Sequence, residues 1–203
     1  MKLYIIPGAC SLAAHIILRE AGIAFDWEKV DGKTKRTEGG DDYLAVNPKG
    51  QVPALRLDDG EVLTENQVIL QFLADMRPQA GLAPANGMER VRLQERLSFL
   101  SSELHKSFSP FFAALKPEGE HRDAALAKVN NRLDHAEAML ADGRDWLDGQ
   151  AFGIADAYLF VLGNWTGPSG VGLGERPHLK AFMQRVGARP AVQAALRAEG
   201  LIQ

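Results

Sequence analysis

The chain has 203 residues, of which 46% are hydrophobic and 24% charged, with a formal net charge of −3 at pH 7. This composition is typical of a globular protein, and without a basic excess we expect no nucleic-acid partner. No apolar run approaches the ~20 residues that cross a membrane, and the first residues do not resemble a signal peptide, so we expect no membrane association. The single cysteine excludes an intrachain disulfide and suits a cytoplasmic location.

The start of the chain predicts a strand, a helix and a second strand. Residues 2–6 are rich in large and β-branched side chains, and Pro7-Gly8 ends that run. Residues 11–21 carry apolar side chains near helical spacing, and residues 25–30 predict another strand. Two strands joined through a helix form a βαβ unit, so we expect a parallel pair.

A hairpin and a further helix follow. The sequence Asp-Asp-Gly at 58–60 lies between two short stretches, 52–57 and 61–63, and is a strong hairpin signal. Thr64 is predicted to cap the next helix, with Gln67 completing a capping box. The order β-α-β-β-β-α predicts a thioredoxin-like domain.

The rest of the chain predicts helices alone. An alanine-rich linker at 80–86 separates a thioredoxin-like domain at 1–79 from an all-helical domain at 87–203. The fold class is therefore α/β followed by all-α, with a helical bundle at the C-terminal end. The predicted helices of the second domain are 90–108, 123–140, 155–162, 179–187 and 191–199.

Cys10 stands between the first strand and the first helix, at or just before the helix N-terminus. The unpaired N–H groups and the helix dipole favour negative charge there, so a thiolate would be stabilised. This placement suits a reactive or thiol-recognising cysteine. A buried, inert cysteine is equally compatible with the position alone.

Two other places in the first domain suit an extended peptide with an amino-acid headgroup. If the Val52–Pro53 bond is cis, the N–H and C=O of Val52 stay free for such a peptide. Backbone N–H groups at Glu65 and Asn66 would bind a carboxylate, and the Glu65 side chain would bind an amino group. An acid that merely complements the helix dipole is the alternative for Glu65.

These features recur together in one family. The segment Asn-Pro-Lys-Gly-Gln-Val-Pro-Ala-Leu at 47–55 marks the superfamily, and Cys10 with Ser-Ser-Glu-Leu-His-Lys at 101–106 marks one class within it. On these residues the chain resembles the glutathione transferases, specifically their bacterial beta class, over essentially its whole length. Further matching segments are 1–4, 7–12, 18–22, 42–44, 63–65 and 155–160.

The resemblance implies a homodimer that uses glutathione as co-substrate and has no prosthetic group. By position, Cys10 would lie beside the glutathione sulfur, and His105 would approach the same sulfur from the helical domain. Glu103 would reach the glutathione of the other subunit, and Lys106 would line the site.

The resemblance also assigns residues that would bind the remaining parts of glutathione. Lys35 would hold the glycyl carboxylate, and the backbone of Val52 would pair with the cysteinyl unit, with Pro53 cis. Glu65 and Asn66 would hold the γ-glutamyl end. Position 66 is usually serine in this family, so a hydroxyl contact would be replaced here by an amide.

Two other groups of residues are assigned no catalytic role. Gly153 stands where a helix-capping serine or threonine is usual, and Asp156 is predicted to close that cap. The histidines show no ligand spacing with Cys10 or with each other, so we expect no metal site.

The leading hypothesis is conjugation of glutathione to a small hydrophobic electrophile, which would serve detoxification, with the electrophile in an apolar cleft between the domains. The alternative is a Cys10–glutathione mixed disulfide used for thiol–disulfide exchange, peroxide reduction or reductive dehalogenation, with a second glutathione as the resolving thiol. A non-catalytic binder of hydrophobic ligands is a third hypothesis.

Overall fold

The structure is a computed structural model that describes residues 1–149 and 151–203. The chain divides into two compact units. The first comprises Met1–Ala85 together with Ala188–Gln203, and the second comprises Asn86–Gly187.

A four-stranded mixed sheet forms the centre of the first unit. It contains β1 (Lys2–Ile5), β2 (Asp26–Lys29), β3 (Ala54–Arg56) and β4 (Val62–Thr64) in the order β2-β1-β3-β4. Strand β1 is parallel to β2 and antiparallel to β3, and β4 is antiparallel to β3. The predicted parallel pair and the predicted hairpin are both confirmed.

Two helices complete the predicted β-α-β-β-β-α order. The first, α1 (Ser11–Glu20), packs against β1 and against α2 (Asn66–Met76). The predicted capping box is wrong. Thr64 remains in β4, opposite Ala54, and Glu65 is the N-cap residue of α2. In the part of the chain that the structure describes, no side chain caps this helix.

The second unit is helical, as predicted. Its core helix, Ile154–Asn164, is buried along almost its whole length because the sequence of that helix is nearly all apolar. The predicted helix at 90–108 is interrupted by a π-helical turn at Leu100–Leu104. The helices are α3 (Gly87–Phe99), α4 (His105–Ser107), α5 (Ser109–Phe112), α6 (Gly119–Leu140), α7 (Ile154–Asn164), which is the core helix, and α8 (Pro177–Gly187).

The last helix, α9 (Pro190–Ala198), returns to the first unit, where it packs on α1. Arg189 contributes to this attachment because its guanidinium binds both carboxylate oxygens of Glu20, at 2.7 and 2.9 Å. The compact units therefore differ from the predicted division, which kept residues 87–203 together. Hydrophobic spacing identified the helix but could not identify what it packs against.

A buried polar network ties the C-terminal segment to the loop that precedes α1. The carboxylate of Glu199 accepts hydrogen bonds from the His15 ring, at 2.8 Å, and from the Gly8 N–H, at 2.9 Å. His15 Nε2 accepts a hydrogen bond from Arg19 Nε at 3.0 Å, so the Nδ1 proton faces Glu199. Residues near the end of the chain thus support the loop that leads to Cys10.

Candidate functional site: a thiol beside a cis-proline loop

Cys10 is the N-cap residue of α1, and its side chain is largely buried. Its thiol donates a hydrogen bond to the backbone carbonyl of Val52, with 3.2 Å between Sγ and O. The Val52–Pro53 peptide bond is cis, as the resemblance implied. We expected this carbonyl to be free for an extended peptide; instead it already accepts one hydrogen bond from the Cys10 thiol, and a carbonyl oxygen can accept a second.

Two side chains stabilise the loop that carries Val52 by donating hydrogen bonds to the same carbonyl oxygen. Tyr43 Oη and Asn47 Nδ2 each donate to the Gln51 carbonyl at 2.7 Å. Burial raises the pKa of Tyr43 to about 12, so its phenol stays protonated and remains a donor at neutral pH. These contacts hold the backbone of Val52 beside Cys10.

Lys35 reaches the same loop from a preceding turn. Its Nζ donates to the Gly50 carbonyl at 2.8 Å, and its own backbone has a positive φ of 56°. Gly50 also has a positive φ, of 64°, and a Cβ at that position would crowd Leu44 at 3.2 Å and touch the Lys35 stem at 3.4 Å. The ammonium of Lys35 is therefore held next to the segment that continues to Val52.

The N-terminus of α2 forms a second polar cluster in the first unit. Glu65 has a positive φ of 67°, which is uncommon for a residue with a side chain. Its Oε1 accepts from Lys49 Nζ at 2.7 Å, and Lys49 also donates to Thr64 Oγ1 at 3.1 Å. Asn66 is buried, and neither polar atom of its side chain has a hydrogen-bond partner among the described residues.

His105 lies in α4 of the second unit, directly after the π-helical turn. Its Nδ1 shares a hydrogen bond of 2.8 Å with the Tyr158 hydroxyl, and its ring packs edge-on against Trp165, with 4.7 Å between ring centroids. Burial, and secondarily the charge of Lys106, lowers the pKa of His105 to about 4. The imidazole is therefore neutral at physiological pH.

Glu103 and Lys106 flank His105. Glu103 Oε2 accepts from Arg132 at 2.9 Å, so its carboxylate already has a cationic partner within the chain. Lys106 is exposed. The predicted site residues thus fall into two groups: Cys10, Lys35, Val52, Pro53, Glu65 and Asn66 in the first unit, and Glu103, His105 and Lys106 in the second.

Two family models cover most of the chain. The glutathione S-transferase N-terminal domain matches residues 8–76, and the glutathione S-transferase C-terminal domain matches residues 88–190. The chain belongs to the glutathione S-transferase family.

Individual relatives agree with this membership. The chain is 50% identical to glutathione S-transferase GstA of Escherichia coli O157:H7, over 99% of this chain and 100% of that protein. A bacterial beta class glutathione S-transferase of Sphingomonas chungbukensis has the same fold, with a TM-score of 0.95 and 50% identity over 100% of both chains. A sphingomonad glutathione S-transferase solved with glutathione gives a TM-score of 0.94 and 51% identity over 100% of both chains.

This chain is accordingly a glutathione transferase of the bacterial beta class, and glutathione is its co-substrate. Among residues 1–149 and 151–203, no group of three or more His, Cys, Asp or Glu side chains could hold a metal ion. Within the same residues, no helix combines the length and the apolar character that crossing a membrane requires.

The sequence identified no role for three residues of the transferase that support the thiol loop or the α2 N-terminus. Tyr43 and Asn47 hold the Gln51 carbonyl, and Lys49 pairs with Glu65. Asn47 and Lys49 lie inside the superfamily segment, which was the available signal. Their partners depend on how the chain turns, which spacing does not reveal.

We expect His105 to make the transferase less stable as the pH falls. The pKa of a histidine in an unfolded chain is ~6.5, whereas the pKa of His105 is lowered to about 4. Below pH ~6.5 the unfolded state therefore binds a proton at this residue, whereas the folded state stays neutral until the pH approaches ~4. His105 leaves the free energy of unfolding unchanged above pH ~6.5 and lowers it as the pH falls towards ~4. The expected loss from this residue is about 3 kcal/mol.

Urea unfolding of the wild type and of His105→Gln between pH 4 and 7.5 measures this contribution. The glutamine variant should show a smaller fall in stability over that range. His121→Gln removes an exposed histidine and should follow the wild type. Identical pH dependence in wild type and His105→Gln would contradict the prediction.

Proposed function

We propose that this transferase binds glutathione along its first unit and joins the glutathione sulfur to a hydrophobic electrophile. The observation that carries the proposal is the contact between the Cys10 thiol and the Val52 carbonyl beside the cis Pro53 bond. A cysteinyl unit paired with the backbone of Val52 would bring its sulfur to the N-terminus of α1. There the helix dipole favours a thiolate, which is the form of glutathione that attacks.

The two ends of glutathione would be held by charged and polar groups of the same unit. Lys35 would bind the glycyl carboxylate, since its ammonium already lies against the loop before Val52. Glu65 and Asn66 would bind the γ-glutamyl headgroup. Buried polar groups nearly always have hydrogen-bond partners. The Asn66 amide, at a helix N-terminus, has none among the described residues, which suits a residue that acquires partners from a ligand.

His105 would act as a neutral hydrogen-bond donor and not as a base. A group with a pKa of about 4 is too weak a base to accept the proton of a thiol at neutral pH. In the tautomer in which Nδ1 accepts from the Tyr158 hydroxyl, the ring proton is on Nε2, where it would stabilise a sulfur anion. Lys106 would add positive charge next to it.

The reaction then needs only the two substrates. The glutathione thiol loses its proton to solvent, its sulfur forms a bond to the electrophilic carbon, and the leaving group departs with the bonding electrons. We further propose an electrophile pocket formed by the helical domain, a homodimer in which Glu103 reaches the partner's glutathione, and a cytoplasmic, detoxifying role.

Replacement of His105 tests the proposed catalytic arrangement. His105→Ala should lower kcat for conjugation of glutathione to a chloronitrobenzene by about tenfold or more, because one donor to the sulfur anion is lost. The KM for glutathione should change little, since the rest of the peptide keeps its contacts. His121→Ala is the exposed control and should match the wild type. An unchanged kcat in His105→Ala would remove His105 from the proposed chemistry.

Thiol–disulfide exchange is a second candidate, favoured by the position of the Cys10 sulfur at the Val52 carbonyl. In this reaction the Cys10 thiolate attacks a glutathione mixed disulfide and releases the other thiol, leaving Cys10 bonded to glutathione. A second glutathione then attacks that bond, which yields glutathione disulfide and regenerates the Cys10 thiolate.

A further inference from the structure

Lys49 makes two contacts at the N-terminus of α2 that the glutathione assignment does not use. Its ammonium lies 2.7 Å from Glu65 Oε1 and 3.1 Å from Thr64 Oγ1. The Glu65 carboxylate is the group proposed above to receive the ammonium of the γ-glutamyl headgroup. In the structure, a cation of the protein itself is therefore bound to the carboxylate proposed to receive a cation of the substrate.

We infer that Lys49 is an internal competitor for the ammonium of glutathione and thereby sets how strongly the site selects ligands with a free amino group. This inference rests on the proposed role of Glu65. A ligand ammonium must either displace the Lys49 ammonium from Glu65 or share the carboxylate with it. In both cases Lys49 weakens the attraction of Glu65 for a positively charged headgroup.

The contact is suited to exchange. The side chain of Lys49 is 56% exposed and that of Glu65 is 61% exposed, so water screens the pair and its net strength is small. A weak, exposed ion pair can be replaced by a ligand without rearrangement of the core.

Lys49 also affects ligands that lack the ammonium. With Lys49 present, its ammonium offsets part of the charge of Glu65, so a headgroup carrying only a carboxylate meets less repulsion. With Lys49 uncharged, the bare Glu65 carboxylate attracts an ammonium more strongly and repels a lone carboxylate more strongly. Removing the charge of Lys49 should therefore sharpen the discrimination between the two kinds of headgroup.

The test compares glutathione with glutaryl-cysteinylglycine, which keeps the headgroup carboxylate and lacks the α-ammonium. Calorimetric Kd values for both peptides are measured with the wild type and with Lys49→Met, which retains the aliphatic stem. The ratio of the glutaryl Kd to the glutathione Kd should rise about twofold to fivefold in Lys49→Met, as expected for an exposed ion pair. Lys180→Met, an exposed charge change in the second unit, should leave the ratio unchanged.

The Glu65→Gln background isolates the mechanism, because Lys49→Met should no longer change the ratio once the carboxylate is absent. The inference is overturned if the ratio of the glutaryl Kd to the glutathione Kd is unchanged or lower in Lys49→Met alone. It is also overturned if Kd rises equally for both peptides, because Lys49 would then be a ligand of the headgroup carboxylate. Absence of glutathione binding by the wild type overturns the proposed function instead, so the two failures are distinguishable.

Discussion

Replacing Asp156 with alanine is expected to destabilise the protein by about 3–5 kcal/mol. Asp156 is fully buried near the start of α7, where Oδ1 accepts from the Leu147 N–H and Oδ2 from the Gly153 N–H, both at 2.8 Å. Gly153 has no side chain to cap this helix, so Asp156 is the group that closes its first turn. Alanine would leave two buried N–H groups without these acceptors.

Urea unfolding followed by circular dichroism measures this loss. Asp145→Ala is the matched control because that carboxylate is 64% exposed and lies at the surface, where it pairs with Arg185 at 3.0 Å. The control should lose less than about 1 kcal/mol. Equal losses in the two variants would mean that the buried hydrogen bonds of Asp156 contribute no more than a surface charge.

Replacing Cys10 with alanine is expected to reduce glutathione-dependent disulfide exchange by about 100-fold or more. The exchange route forms a bond to the Cys10 sulfur, and no other cysteine exists in the chain to replace it. Conjugation should largely survive, because the attacking sulfur belongs to glutathione, and the helix N-terminus and His105 remain. The two activities are measured on the same preparation, with a mixed disulfide of glutathione and with a chloronitrobenzene.

Cys10→Ser is the control for packing, since serine keeps a donor near the Val52 carbonyl, to which the thiol donates at 3.2 Å. It should lose exchange as completely as alanine does and retain conjugation. If conjugation is lost in both variants along with exchange, Cys10 itself is required for activation of glutathione. If both activities survive in both variants, Cys10 has neither role.

The sequence predicted those parts of the fold that depend on local pattern. Large and β-branched side chains, together with turn residues, predicted β1 and the β3–β4 hairpin, and helical spacing predicted most helices. Local rules failed at Thr64, because strand pairing with Ala54 outweighed its preference for a helix cap. They also could not foresee the π-helical turn before His105, for which the residues give no evident physical reason.

Long-range contacts account for the remaining differences. The attachment of α9 to the first unit depends on Arg189 with Glu20 and on Glu199 with His15, pairs that are far apart in sequence. The Lys49–Glu65 ion pair also joins residues that are separated along the chain. The individual residues were visible in the sequence, and the proposed site residues came from a family resemblance, but the partners required three-dimensional coordinates.

Calorimetric titration of the wild-type protein with glutathione tests most directly whether the first unit is a glutathione site. We predict saturable binding at one site per chain, with a Kd of about 1 mM or tighter, in the usual range for enzyme substrates. A heat signal indistinguishable from dilution at saturating glutathione, from protein that is folded by circular dichroism, would contradict the proposed function.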